Sequence, residues 1–255
     1  MYRDVLRILN GLLSAVEALL LIVCLLYAGY SLWDNQQIYT SVSSLQNELL
    51  AFKPTATEND EETGPSFEEL QAINPDVCAW LTMDGTRIDY PILRANNNTY
   101  YLSYDVYRKF SLAGSLFLDS RNAFTVSDAY NLIHGHHMNQ GRMFGDLDLY
   151  KREEFFRENA TGSLITPETA YQLDVIACLN VNSTDDVIFA PQRWLEDAEA
   201  VLDYTERNAT YLHADTLALA RTSGAPLLCL ATCADGSNRT IVLCMMTRAE
   251  GGAAQ

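Results

Sequence analysis

The chain has 255 residues, of which 48% are hydrophobic and 10% aromatic, and this is enough apolar material to bury one sizeable core, which excludes a disordered protein. Its formal net charge is −16 at pH 7 and no cluster of Lys and Arg is visible, which excludes nucleic acid as its main partner. Six cysteines occur without the dense spacing of a disulfide-stapled secreted module, so we expect mostly free thiols.

An apolar segment lies near the N-terminus. Gly11 to Leu32 is apolar apart from Glu17 and a few small polar residues, and its 22 residues match one bilayer crossing. Arg3 and Arg7 precede it, and no Lys or Arg follows before Lys53, which predicts a cytoplasmic N-terminus and an extracellular remainder. A cleaved signal peptide is the competing interpretation, although no clean small-x-small site follows the apolar core. We predict a retained single-pass anchor in the cell membrane.

A second apolar pattern follows the anchor. Residues spaced by four, three, four and three form one stripe of a helix: Ile38, Val42, Leu45, Leu49 and Phe52. The stripe is too short to establish a coiled coil between two chains, so we favour a helix that packs on its own domain. The polar, acidic stretch from Lys53 to Ser66 predicts a flexible linker. We therefore divide the chain into a cytoplasmic tip and anchor (1–33), a membrane-proximal helix and linker (34–65), a globular domain (66–248) and a tail (249–255).

The globular part is rich in short predicted strands. These are Ala79–Met83 and Thr86–Leu93 around an Asp84-Gly85 hairpin turn, then Ser115–Leu118, Tyr130–His134, Ser163–Thr166, Thr169–Leu179 and two strands of a hairpin between Ala225 and Thr247. Helices are predicted from Ser66 and near Asn98–Ser103, Met143–Tyr150, Arg152–Asn159 and Gln192–Asn208. Many strands with few long helices predict a mainly β fold with helical decorations, a closed eight-stranded β-barrel preceded by the transmembrane helix.

The last hairpin carries candidate chemistry. Cys233 stands where its first strand ends and Arg239 where its second begins, so a thiol and a guanidinium are brought to the same end of the sheet. The alternative is structural: Cys229, Cys233 and Cys244 can all be small buried hydrophobic residues, and Arg239 can cap a surface turn.

A histidine cluster follows the strand Tyr130–His134. Gly135 is expected to turn the backbone sharply just before His136 and His137, so that one histidine faces a cleft. Metal ligation by the cluster and a merely solvated loop are the alternatives. The cluster lacks a neighbouring Asp or Glu in sequence, and Cys229 and Cys233 would lie over about 13 Å apart on a strand, so we predict no metal and no cofactor. His213 is expected to be a surface residue.

Several separate blocks span about residues 66 to 247. They are INPDVCAWLTMDGTRIDYPIL from Ile73, NNNTYYLSYD from Asn96, AGSLFLDSRN from Ala113, NLIHGHHM followed by MFGDLDLY, and LATC followed by RTIVL. In this order they resemble the class B sortases, cysteine transpeptidases of Gram-positive cell surfaces. The resemblance implies a sortase catalytic domain over 66–248, a β-barrel fold and an N-terminal signal anchor.

The resemblance also implies roles for individual residues. His136, Cys233 and Arg239 match the catalytic histidine, nucleophile and arginine of the family. The backbone N–H of Ala234 is a plausible oxyanion donor, and Asn98, Leu102, Ala231 and Thr232 match positions at the substrate groove, which the helix around Gln192–Asn208 helps to form. Three departures stand out: Ala231 replaces a usual Ser or Thr, the Cys233-to-Arg239 spacing is short, and His134 stands where an aromatic residue is common.

The function implied is cleavage of a C-terminal sorting signal after Thr, through a thioester on Cys233, and transfer of the secreted protein to an amine. The amine is that of lipid II or of a peptidoglycan cross-bridge; the alternative is a lysine of a pilin. A membrane-tethered module that binds a surface peptide without chemistry, and a metal-dependent hydrolase, are the hypotheses from other classes.

Overall fold

The computed structural model describes residues 2–54, 67–233 and 237–249. Its α-helices are α1 Tyr2–Leu50, α2 Phe67–Ile73, α3 Glu153–Glu158, α4 Glu199–Asn208 and α5 Ala214–Ser223. Its strands are β1 Val77–Met83, β2 Asp89–Leu93, β3 Leu116–Leu118, β4 Tyr130–Met138, β5 Arg142–Met143, β6 Thr161–Ile165, β7 Ala170–Asn182, β8 Ala209–Leu212, β9 Leu227–Cys233 and β10 Asn238–Arg248. Short 3₁₀ helices are formed by Tyr100–Leu102, Asn139–Gly141, Gly145–Lys151 and Pro191–Arg193.

Within these residues, eight strands close into one barrel. They follow the order β10-β9-β4-β3-β2-β1-β6-β7, and β10 pairs with β7 to complete the ring. The closing ladder is antiparallel and runs from Asn238 opposite Asn182 to Arg248 opposite Tyr171. β5 and β8 are short branches, paired with β4 and β7 respectively. The predicted closed eight-stranded barrel with helical decorations is therefore confirmed, and closure leaves its strands without an open sheet edge.

The chain divides into two compact units, Met1–Ser43 and Ser44–Gln255, and the first contains most of α1. α1 contains an apolar window with a mean hydropathy of 2.3, so it is long and apolar enough to cross a membrane.

The last turns of α1 belong to the second unit and pack on the barrel. The Gln46 side chain donates to the carbonyl of Arg87 at 2.9 Å and accepts from the Tyr90 hydroxyl at 3.0 Å. Lys53, at the start of the predicted linker, forms an ion pair with Asp89 at 2.9 Å. The rest of that linker, residues 55–66, lies outside the described residues.

Helices α4 and α5 cover one face of β4, β9 and β10. The apolar cluster between them includes Tyr130 and Leu132 of β4, Cys229 and Ala231 of β9, Ile241 and Leu243 of β10, Val201 and Leu202 of α4, and Leu217 and Ala220 of α5. All of these side chains are buried, and on each strand they occupy alternate positions, as one face of a sheet requires.

The course of β4 corrects the sequence-based prediction. That prediction ended the strand at His134 and made Gly135 a sharp turn, whereas β4 continues to Met138 and holds both following histidines. The reason for the glycine is space: a Cβ at Gly135 would lie 2.3 Å from the Leu116 side chain and 2.6 Å from the Phe144 ring. Gly135 lets neighbouring side chains pack against the strand, and the strand remains extended.

Other differences concern short elements. The helix predicted near Asn98–Ser103 is a single 3₁₀ turn, and the helix predicted over Gln192–Asn208 is divided into the turn Pro191–Arg193 and α4. α5 and the strands β5 and β8 were not predicted. With two and four residues, these strands are too short to show an alternating pattern.

Candidate active site

Three adjacent strands place the three predicted catalytic positions in a row. β4 and β9 are parallel, and their register sets His136 directly opposite Cys233. β9 and β10 are antiparallel, with Ile241 opposite Ala231. The pairs between β9 and β10 end there, two residues before Cys233, and Arg239 stands two residues before Ile241 on the neighbouring strand β10. Since neighbouring strands lie about 4.8 Å apart, the backbones of positions 136 and 233 lie about one strand spacing apart, and Arg239 lies near the start of the next strand.

The row continues the face that α4 and α5 cover. Counting in steps of two along each strand, Leu132 leads to His136 and Ile241 leads to Arg239. The buried apolar cluster thus ends where the polar row begins, and His136 and Arg239 are only partly buried. This change from apolar to polar residues along one face places the row at the rim of the helix-covered region.

His136 is oriented by the main chain. Its Nε2 lies 2.8 Å from the carbonyl oxygen of Leu102, which ends the 3₁₀ turn Tyr100–Leu102. A carbonyl oxygen only accepts hydrogen bonds, so Nε2 carries the proton in this contact. Leu102, which sequence analysis places at the substrate groove, therefore also fixes the tautomer of the histidine.

For the other candidate residues of the row, the structure describes the contacts of Arg239 and the backbone position of Cys233. Arg239 donates from Nη1 to the carbonyl of Asn238 at 3.3 Å. Cys233 is placed by its strand pairing, and its side chain is not among the described atoms. Ala234, the predicted oxyanion donor, lies outside the described residues.

The remaining predicted substrate residues are engaged within the protein. Asn98 donates from Nδ2 to Asp119 at 2.8 Å and accepts from the backbone N–H of Ser120 at 2.7 Å. Ala231 is buried in the apolar cluster beneath the helices. Thr232 is also buried, and its hydroxyl accepts the backbone N–H of Thr240 at 3.0 Å. Of the four, Asn98 and Leu102 are the ones whose side chains are partly exposed.

A buried carboxylate, Asp119, organises the region beside the row. It accepts two bonds from the Arg121 guanidinium at 2.7 Å and contacts His134 Nε2 at 3.0 Å, besides the bond from Asn98. Burial raises the pKa of Asp119, but the hydrogen bonds from Arg121 and His134 outweigh this and hold the pKa well below its usual value. The His134 ring also stacks on Phe117, with the ring centroids 5.3 Å apart.

A second carboxylate, Asp148, contacts the next histidine. His137 Nε2 lies 2.9 Å from Asp148 Oδ2, and Lys151 Nζ lies 2.7 Å from Oδ1. Thr240 of β10 donates its hydroxyl to Oδ1 at 3.0 Å. Burial raises the pKa of this carboxyl, yet the bonds from Lys151, His137 and Thr240 lower it overall.

The histidine cluster is divided among different partners. His134 contacts Asp119, His136 contacts a carbonyl oxygen, and His137 contacts Asp148. Across the residues that the structure describes, no group of three His, Cys, Asp or Glu side chains is placed to hold a metal ion. His213, expected at the surface, is instead partly buried and stacks on Phe156, with ring centroids 4.3 Å apart.

Four cysteines of the barrel are buried and have raised pKa values, unlike a reactive thiol. Cys78, Cys178, Cys229 and Cys244 are free and buried. Burial raises the pKa of Cys78, Cys178 and Cys229 to about 12, so these thiols stay protonated and unreactive near neutral pH.

Sequence reasoning missed the two carboxylates. Asp119 and Asp148 both lie in the sequence blocks quoted above, but their roles depend on partners 15 and 92 residues away along the chain. The available signal for Asp119 was local: an Asp-x-Arg pair directly after a strand, which is a short-range charge pair.

Comparison with known proteins gives relatives over most of the chain. Sortase B of Listeria monocytogenes is 31% identical over 72% of this chain and 74% of its own length. Sortase B of Staphylococcus aureus is 26% identical over 89% of this chain and 92% of its own length. The crystal structure of a Streptococcus pyogenes class B sortase involved in pilus biogenesis matches with a TM-score of 0.64 and 33% identity, covering 73% of this chain and 100% of that one. No family model matches the chain.

Proposed function

Because the chain belongs to the class B sortases, which are cysteine transpeptidases, we propose that Cys233, His136 and Arg239 are its catalytic residues. The observation that supports this proposal is the register that sets His136 opposite Cys233 across β4 and β9. Arg239 stands near the start of β10, the strand that pairs with β9 on its other side. A thiol is weakly ionised at neutral pH, so a positive neighbour on either side favours the thiolate.

The proposed reaction has two stages. The Cys233 thiolate attacks the carbonyl carbon of the Thr in a C-terminal sorting signal, and the C–N bond breaks to leave a thioester. His136 donates a proton to the departing amine. An acceptor amine then attacks the thioester, His136 removes its proton, and the Cys233 sulfur leaves as thiolate.

The other predicted residues have supporting roles in this proposal. The Arg239 guanidinium stabilises the oxyanion or holds the substrate, and the backbone N–H of Ala234 is the second oxyanion donor. Asn98 and Leu102 line the groove for the sorting signal, with Ala231 and Thr232 below it. The contact between His136 and the Leu102 carbonyl supports this arrangement, because it places the turn Tyr100–Leu102 directly beside the histidine.

The acceptor we propose is the amine of lipid II or of a peptidoglycan cross-bridge. α1 anchors the enzyme in the cell membrane as a single pass, with the N-terminus in the cytoplasm and residues 66–248 outside, where secreted proteins and cell-wall precursors meet it. Transfer to a pilin lysine is the second candidate, and the likeness to a class B sortase involved in pilus biogenesis favours testing it directly.

The test uses the full chain in detergent with fluorogenic Thr-containing peptides, a panel of amines that includes oligoglycine and a lysine peptide, and mass spectrometry of the enzyme. We expect a thioester on Cys233 and a product that carries the amine. Cys233→Ala should lower the rate by more than about 1,000-fold, whereas Cys24→Ala, outside the barrel, should leave it unchanged.

The same experiment separates the alternatives. If no Thr-containing peptide acylates Cys233, the enzymatic proposal is wrong. A chain that binds such peptides without acylation, and whose Cys233→Ala variant keeps its cellular phenotype, would be a binding module. The preferred amine in the panel distinguishes cell-wall attachment from pilin joining.

A further inference from the structure

A chain of hydrogen bonds joins the neighbours of the catalytic row on the opposite face of the sheet. Side chains alternate along a strand, so Thr232, Thr240 and His137 face away from the row. The Thr240 N–H donates to the Thr232 hydroxyl at 3.0 Å, and both threonines are buried. β9 and β10 are thereby connected one residue away from Cys233 and Arg239.

Asp148 extends this chain to β4. One of its oxygens accepts from the Thr240 hydroxyl at 3.0 Å, and the other lies 2.9 Å from His137 Nε2. A carboxylate only accepts, so His137 donates in this contact. A single carboxylate therefore links the β10 neighbour of Arg239 to the β4 neighbour of His136, on either side of the strand that carries Cys233.

The segment that carries Asp148 is held against the end of β4. The Phe144 N–H donates to the carbonyl of His136 at 3.0 Å. A Cβ at Gly145 would lie 1.9 Å from the carbonyl oxygen of Met138, so only glycine allows this close approach. The 3₁₀ helix Gly145–Lys151 thus begins in contact with the strand whose end it supports.

We infer that Asp148, acting through Thr240 and His137, is a positioning residue that keeps His136 and Arg239 correctly spaced on the two sides of Cys233. The inference rests on the proposed function of the row. Catalytic groups need to be held to within about 0.5 Å of the productive geometry by packing and by hydrogen bonds from the residues behind them. Asp148 touches neither substrate nor the reacting atoms in this role.

The test measures how reactive the Cys233 thiol is as a function of pH. The full chain in detergent is treated with iodoacetamide, and alkylation of Cys233 is followed by peptide-resolved mass spectrometry. The thiolate is the reacting form, and nearby positive groups increase its fraction. We expect Thr240→Val, which breaks the chain without changing any charge, to move the alkylation midpoint about half a pH unit upward, which lowers the rate at neutral pH about threefold. Asp148→Ala should move it in the same direction by less, because the loss of a negative charge itself favours the thiolate.

Matched controls separate positioning from general damage. Thr240→Ser keeps the hydroxyl and should restore the wild-type profile. Thr161→Val removes a similar Thr-to-Asp hydrogen bond, from Thr161 to Asp84 at 2.6 Å, on β6, which lies between β1 and β7. This control should leave the Cys233 profile unchanged. Alkylation of buried Cys229 reports any unfolding in each variant.

Two results would overturn the inference: a wild-type profile in both Asp148→Ala and Thr240→Val, or an equal shift in Thr161→Val. The same alkylation measurement gives a different result if the proposed function itself is wrong. In that case His136→Ala and Arg239→Ala would themselves leave the alkylation profile of Cys233 unchanged.

Discussion

Two carboxylate–histidine pairs flank His136 on β4, and they differ chiefly in exposure. The Asp119 side chain that contacts His134 is 0% exposed, whereas the Asp148 side chain that contacts His137 is 41% exposed. Both carboxylates also contact a cation, Arg121 in the first pair and Lys151 in the second. The chemistry of the pairs is similar, and their surroundings are not.

The difference in exposure implies a difference in purpose. A buried charge that loses its partners destabilises the folded state, because its desolvation is no longer compensated. The Asp119 pair therefore contributes to the stability of the barrel. An exposed pair is screened by water and contributes little to stability. What the Asp148 pair provides is connection between strands β4 and β10. We therefore expect substitutions in the first pair to affect stability and substitutions in the second to affect the site.

The largest effect is expected for Asp119→Ala. This change leaves the Arg121 guanidinium, His134 and the Asn98 amide without their buried acceptor. We expect the free energy of unfolding to fall by about 2–3 kcal/mol. Urea titration of the full chain in detergent, followed by near-UV circular dichroism, measures it. If the free energy of unfolding fell by less than about 1 kcal/mol, the Asp119–His134 pair would contribute no more to stability than the exposed Asp148–His137 pair is expected to.

The pH dependence of stability gives the next largest effect. The pKa of Asp119 is lowered in the folded protein, so its contribution is fully present above the ordinary Asp pKa near 4 and is lost as pH falls below it. One such group gives a slope of up to about 1.4 kcal/mol per pH unit in the acid range.

The matched variant is Asp119→Asn. Urea midpoints measured in steps from pH 6 to the acid range should fall less steeply for the variant than for the wild type, because the variant lacks this titrating group. Parallel curves for the two proteins would show that Asp119 is not the group responsible.

A smaller effect is expected for His134→Phe. Phenylalanine keeps the stacking on Phe117 but removes the contact with Asp119, which retains its bonds from Arg121 and Asn98. We expect a loss of about 1–2 kcal/mol in the free energy of unfolding. Arg121→Met in the same assay should cost more, because it removes the two bonds at 2.7 Å. If His134→Phe instead destabilised the protein more than Arg121→Met, His134 and not Arg121 would be the main partner of the Asp119 carboxylate.

The sequence predicts the barrel well because its signals are periodic and local. Alternation in β7 and the Asp84-Gly85 turn are visible in the residues themselves, and the closed barrel follows from counting strands. The hairpin itself indicated Cys233 and Arg239, and the histidine cluster indicated a histidine near 136, before the resemblance assigned their roles. The register between them needed the structure, since β4 comes nearly a hundred residues earlier than β9.

The features that sequence reasoning missed depend on packing between segments that are distant in the chain. Gly135 is followed by polar residues and reads as a turn, but the space it leaves for Phe144 and Leu116 explains it better. Asp119 and Asp148 read as ordinary surface acids until their distant partners are known. Pairings across long stretches of chain carry no periodic signal, so the positioning groups of the site were less predictable than the strands that carry them.

The smallest effect on stability is expected for Asp148→Asn. This variant tests most directly whether the exposed Asp148 carboxylate contributes less to stability than the buried Asp119 carboxylate. The amide keeps the size of the side chain and an oxygen that can accept from Thr240 or His137, while the partly exposed charge pair with Lys151 is lost. Exposed pairs contribute less than about 1 kcal/mol, so urea unfolding should change by no more than that. Lys151→Met, which removes the same ion pair from its other side, should cost equally little and leave the Cys233 alkylation profile as in the wild type. A destabilisation by Asp148→Asn as large as that by Asp119→Ala would show instead that both carboxylates serve the folding of the barrel.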